Sequence, residues 1–114
     1  MSKRIDQVYL GDMLDAARRV ESKVARKTIH DFRADDTIQL AVVHLIQIIG
    51  EAASRVSSEL REAHSDIPWN GVIGMRHRLV HDYGNINYEI VWSVAVDEMP
   101  KLIAAIERIL PAAP

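Results

Sequence analysis

The sequence predicts an all-α domain, a bundle of four or five helices whose last helix is kinked at a proline, assembled as a homodimer. Three observations carry the fold class. Apolar residues recur at three- and four-residue spacing along most of the chain. No stretch shows the apolar–polar alternation of a half-buried strand. The five Gly and four Pro fall mostly where periodic segments stop. At 114 residues there is room for a single domain, 1–114, and not for a second core of normal size.

Ile5, Tyr9, Met13, Ala16, Val20 and Val24 repeat at helical spacing, with Asp6, Arg18, Arg19 and Glu21 on the other faces. This predicts a first helix over about 4–26. The stretch KTIHDFRADD lacks the period and reads as a loop. Asp35 or Asp36 can then cap a second helix from about 36 to 63. Between Ile38 and Ile49 only Gln39, His44 and Gln47 interrupt its apolar surface, so it must be buried nearly all round. At ~1.5 Å per residue it would run about 40 Å, longer than a bundle of this size needs. The excess predicts a dimer interface. HSDIPW reads as a turn, with Pro68 or Asn70 near the start of a third helix over about 69–81 that stops before Gly84. Asn85 or Asn87 caps a fourth helix to about Leu110, and Pro100 inside it should kink or split it.

Composition narrows the function. Without Cys there are no disulfides, no Cys-ligated zinc and no thiol catalysis, which fits a reducing cytoplasm. MSKRIDQVYL has no apolar core of a secretory signal, and the longest unbroken apolar run is five residues, Leu102 to Ile106, so no membrane span is expected. The formal net charge of −2 argues against wrapping long duplex DNA. Residues 1–33 hold eight basic and five acidic side chains, so one end is locally basic. There is no Gly-rich phosphate loop and no paired-carboxylate metal centre, and no cofactor is expected.

The informative stretch is Gly74 to Gly84, which packs Arg76, His77, Arg78, His81 and Tyr83 into eight positions. Arg is a fixed cation and a bidentate phosphate donor, and His exchanges protons near neutral pH. Such groups serve metal-free RNA cleavage: a base takes the ribose 2′-OH proton, a cation stabilises charge at phosphorus, and an acid protonates the leaving oxygen. Residues five apart on an ideal helix point about 140° apart. Arg76 and His81 therefore converge only if the last turn unwinds or a partner chain completes the site. The competing structural role is an ion pair for Arg76 and a helix C-cap for His81. His77 and His81, four apart, could instead share a metal ion, but Arg76 and Arg78 flank them. His44 reads as a core or interface residue. Glu51, among small residues, reads as packing that could also orient the Arg76 region. Trp69 and Trp92 read as core anchors.

Arg76-x4-His81-x-Tyr83 resembles the Arg-x4-His-x-Tyr motif of HepT-type toxins in the HEPN ribonuclease superfamily. Tyr9-Leu-x-Asp12-Met, Ile48-Ile-Gly-Glu-Ala-Ala53, Ile67-Pro-Trp69, Met75-Arg76, Ile86-x-Tyr88, Val91-Trp92 and Met99-Pro100-x-Leu102 look like the same family, in the same order. The resemblance implies a homodimeric helical bundle that cleaves RNA without metal, where the motifs of two protomers meet. It implies Arg76 and His81 as catalytic residues. His77 stands where the family often has Asn; it and Arg78 are expected to support the site. Tyr83 matches the tyrosine that a cognate nucleotidyltransferase antitoxin modifies with AMP in a type VII-like pair. The alternative is a non-catalytic helical partner of such a nucleotidyltransferase.

Overall fold

The computed structural model describes residues 2–81 and 85–110, except for the side chains of 2, 3, 80 and 81. The first expected helix is α1 (Ser2–Val24). Its buried face is Asp6, Leu10, Met13, Ala17 and Val20, whereas Ile5 is 48% exposed. The apolar pattern read from Ile5 was thus out of phase at the helix start. Asp6, assigned to a solvated face, is only 4% exposed because it has a partner across the fold. Ser57 donates to it twice, from its backbone N–H at 2.8 Å and from its hydroxyl.

The segment expected to be a loop contains α2 (Ile29–Arg33). Thr28 accepts from the Asp31 N–H while Asp31 accepts from the Thr28 N–H, a reciprocal cap that specifies a helix start despite the missing apolar period. The Thr28 N–H bond holds the Asp31 carboxyl below its ordinary range. Phe32 on α2 is fully buried, 5.5 Å from the Trp92 ring and edge-on to Tyr88.

α3 (Asp36–Arg55), capped by Asp35, is the core helix and packs on α1 and α2. The expected helix over 36–63 is two helices. Val56 turns extended and Ser57 caps α4 (Ser58–Ala63), so that Ser57 serves both that cap and Asp6. α3 is therefore about 30 Å long and does not outrun its own bundle. Val42, Val43, Leu45, Ile46 and Ile49 are consumed by the core, and Gln39 is buried but satisfied by the Phe32 and Arg33 carbonyls. What stays uncovered is a stripe: Leu40 at 60% exposure, His44, and the half-buried Gln47 and Ile48. By length and hydropathy alone α3 could cross a bilayer, but half of that window is buried inside this fold.

The expected third helix breaks at Gly74 into α5 (Trp69–Ile73) and α6 (Met75–Leu79). Trp69 is buried and donates its ring N–H to the His64 carbonyl. After α6 the chain is extended: β1 (Val80–His81) pairs antiparallel with β2 (Asn85–Ile86), Val80 opposite Ile86 and His81 opposite Asn85. Two-residue strands are too short to leave an alternation in the sequence, so they were not expected. Asn87 donates its N–H to the Leu79 carbonyl and its side chain caps α7 (Tyr88–Ser93). The chain then passes through a π turn (Val94–Glu98) into α8 (Met99–Ile109), with Pro100 in the first turn of α8. A proline lacks the N–H that an α-helix would need there, and the wider turn immediately precedes it. The described residues thus hold eight α-helical segments, not four or five. α8 buries Met99, Leu102, Ile103 and Ile106 and packs on α1, with Arg18 paired to Glu107 at the rim.

Removing the Asp6 carboxylate should matter more than its position on α1 suggests. Asp6→Ala leaves the Ser57 N–H unpaired, which costs about 1–3 kcal/mol. Urea unfolding should show that loss; a change within about 0.5 kcal/mol, the scatter of ordinary surface substitutions, would contradict it.

Candidate functional site

α6 presents the motif by anchoring its two ends. Met75 and Leu79, four apart, are buried at 2% and 0% exposure, so the three residues between them are turned outward. Arg76, His77 and Arg78 are all exposed, but they do different things.

Arg76 lines a groove of about 460 Å³. The floor and one wall come from α3 (His44, Gln47, Glu51), the far wall from Tyr9 and Asp12 of α1. The groove exists because α1 and α3 run antiparallel, which the Asp6–Ser57 bond enforces at this end. On the Arg76 side α5 approaches α3 closely at Gly50. A Cβ there would lie 3.2 Å from the Val72 carbonyl and 3.4 Å from that of Ile73.

Arg78 points elsewhere. Its guanidinium makes a two-point pair with Glu98 at the end of the π turn, 2.9 and 3.2 Å. Glu98 holds it more firmly protonated than an ordinary arginine. Both partners are well exposed, 45% and 37%, so the pair adds little stability. It does neutralise Arg78 and tie α6 to the start of α8. Glu51 does reach the Arg76 groove, but its carboxylate pairs with Arg55 at 2.9 Å. Arg55 is held protonated by Glu51 and secondly by the Tyr9 hydroxyl. His77 is exposed and is not part of the groove wall.

His81 lies in β1, so the chain between Arg76 and His81 is helical only to Leu79. The 140° separation of an ideal helix therefore does not apply to this pair, and the unwinding that convergence requires is present in the backbone. The His81 side chain, and Tyr83 altogether, lie outside the described residues. Among the described residues no group of three His, Asp or Glu side chains is close enough to hold a metal ion. Trp69 and Trp92 pack inward as expected.

Sequence reasoning missed Tyr9, Asp12, His44 and Arg55 as groove residues. Three segments far apart in the chain, around Tyr9–Asp12, Ile48–Ala52 and Arg76, meet here. Chemically, an exposed guanidinium with no partner among the described residues can take a phosphate or a developing oxyanion.

The family model "Ribonuclease HepT-like" matches residues 13–109. Two similar proteins carry the name putative RNase. TTE0752 of Caldanaerobacter subterraneus is 35% identical over 90% of this chain and 91% of its own length. MJ0127 of Methanocaldococcus jannaschii is 30% identical over 96% and 91%. A protein of Thermococcus cleftensis named "Probable ribonuclease HepT" is 29% identical over 94% and 97%. No solved structure matches.

Proposed function

Because this chain belongs to the ribonuclease HepT-like family, we propose that it is a metal-independent endoribonuclease, the toxin of a type VII-like toxin–antitoxin pair. The observation that carries the reading is Arg76: exposed in a groove, beside a helix end that unwinds toward His81. In this mechanism one His81 accepts the 2′-OH proton and O2′ attacks phosphorus. The bond from phosphorus to O5′ breaks, and a second His81 returns a proton to O5′. Arg76 stabilises the added negative charge on the phosphoryl oxygens. The products are a 2′,3′-cyclic phosphate and a 5′-hydroxyl.

Two histidines imply two chains, so the functional unit in this reading is a homodimer with facing 76–83 segments. The support for it differs from the sequence argument, since α3 is mostly covered within its own chain. Among the described residues the exposed large hydrophobics are Val8 at 59%, Ile5 at 48% and Leu40 at 60%, on the outer faces of α1 and α3, and Tyr88 at 38% on α7. The partner nucleotidyltransferase antitoxin would attach AMP to Tyr83, setting an anion near Arg76 and occupying the charge that RNA phosphates need. The proposed setting is the cytoplasm.

Cleavage of RNA should persist in excess EDTA, and dependence on added divalent metal would overturn the metal-free mechanism. Co-expression with a cognate nucleotidyltransferase should add one or more AMP units by intact mass, absent in Tyr83→Phe. A silenced chain of unchanged mass would replace modification by inhibition through binding.

A further inference from the structure

We propose that the groove beside Arg76 is a base-reading subsite: it takes one unstacked nucleotide of the RNA and prefers a base bearing an exocyclic amine over uracil. This rests on the ribonuclease reading and extends it to substrate choice.

The first argument is charge. The groove carries two carboxylates, Asp12 and Glu51, and two guanidiniums, Arg55 and Arg76. They cancel. A track for a phosphate backbone needs net positive charge along its length, and here only the Arg76 end has an unpaired cation among the described residues. The rest of the groove suits a neutral ligand rich in hydrogen-bonding edges. A nucleobase beside a phosphate held at Arg76 is such a ligand.

The second argument is the set of unused groups. Asp12, His44 and Gln47 line the groove and make no side-chain hydrogen bond among the described residues. An ionised Asp12 can only accept. Uracil offers it a single donor, N3–H, set between two carbonyl oxygens that only accept and therefore repel the carboxylate. Against adenine, cytosine or guanine it meets an amine that donates. The Gln47 amide offers both a donor and an acceptor, enough to complete the edge of such a base. The Tyr9 ring is half-buried, and its hydroxyl leans on Arg55, which Glu51 fixes in turn. As a lining residue Tyr9 offers an aromatic surface on which a base can stack. The volume of about 460 Å³ lies in the range of small-ligand sites.

The test uses the full chain carrying His81→Ala, which stops cleavage, and measures anisotropy of short labelled oligo(A), oligo(C) and oligo(U). Oligo(A) and oligo(C) should bind about tenfold tighter than oligo(U), and Asp12→Asn should bring all three within about twofold. Gln47→Ala should weaken oligo(A) and oligo(C) more than oligo(U). Equal affinities in the parent chain, or a preference that survives Asp12→Asn, would overturn the proposal. So would a shift toward monomer in sedimentation of Asp12→Asn or Gln47→Ala with base preference unchanged, which would assign the groove to a second copy. The ribonuclease reading fails separately, if the wild-type chain cleaves no RNA while the binding preference stands.

Discussion

Arg76→Ala is expected to lower RNA cleavage about 100-fold or more, and His81→Ala to do the same by removing the proton-transfer group. The two losses have different signatures. Arg76 is exposed and has no partner among the described residues, so its removal leaves no buried group unsatisfied and the melting temperature should hardly move. Arg76→Lys keeps the charge but loses the two-point geometry, and should recover only part of the rate. His81 sits on a backbone that pairs with Asn85, so His81→Ala preserves the pairing and isolates the imidazole. Rates should be measured at saturating RNA, since Arg76 also contributes to binding. Full activity in either variant, with the fold intact, would remove that residue from the mechanism.

The second large effect is expected at a residue with no side chain. Gly50→Val should destabilise the protein by about 2–3 kcal/mol, because the added carbons would meet the Val72 and Ile73 carbonyls, which are backbone and cannot swing away. That corresponds to a fall of roughly 10 °C in melting temperature for a chain of this size. Gly50→Ala brings only one carbon to 3.2 Å and gains helix propensity, so it should be far milder. The activity of Gly50→Val, measured well below its melting point, should also fall. α5 leads directly into α6, and displacing α5 moves Arg76 away from the α1–α3 wall. A stable, fully active Gly50→Val protein would mean that the helix approach is looser than its geometry indicates.

The sequence made legible whatever depended on neighbours in the chain. The first helix, a cap at Asp35 or Asp36, a cap at Asn85 or Asn87 and a helix start near Pro68 or Asn70 all follow from local chemistry, and the structure selects Asp35, Asn87 and Pro68. The Thr28–Asp31 cap is also local, but the loop expectation for this stretch rests on its missing apolar period alone and passes over the cap. The stop at Val56 was not readable in the same way. Ser57 leaves the helix for a carboxylate 51 positions earlier, and no window along the sequence contains both. The candidate site divides likewise. The motif residues are contiguous and visible as a cluster of Arg and His, whereas Arg78 pairing with Glu98 and the meeting of Tyr9, Gln47 and Arg76 are products of packing. The rule that separated Arg76 from His81 assumed an ideal helix, and the pairing of Val80–His81 with Asn85–Ile86 replaces that helix.

The packing of α1 against both α3 and α8 sets an order of assembly during synthesis. A ribosome adds roughly 5–20 residues per second, so α1 waits several seconds after leaving the tunnel before α8 exists to cover its second flank. α3 arrives first. The wall formed by Tyr9, Asp12, Gln47 and Arg55 can therefore leave the tunnel ahead of Arg76. The guanidinium reaches a recess whose other sides are already standing, and Glu98, which ties α6 in place, follows later still. The recess is thus closed by the segments made last, and its Arg76 side is fixed only when the start of α8 has emerged.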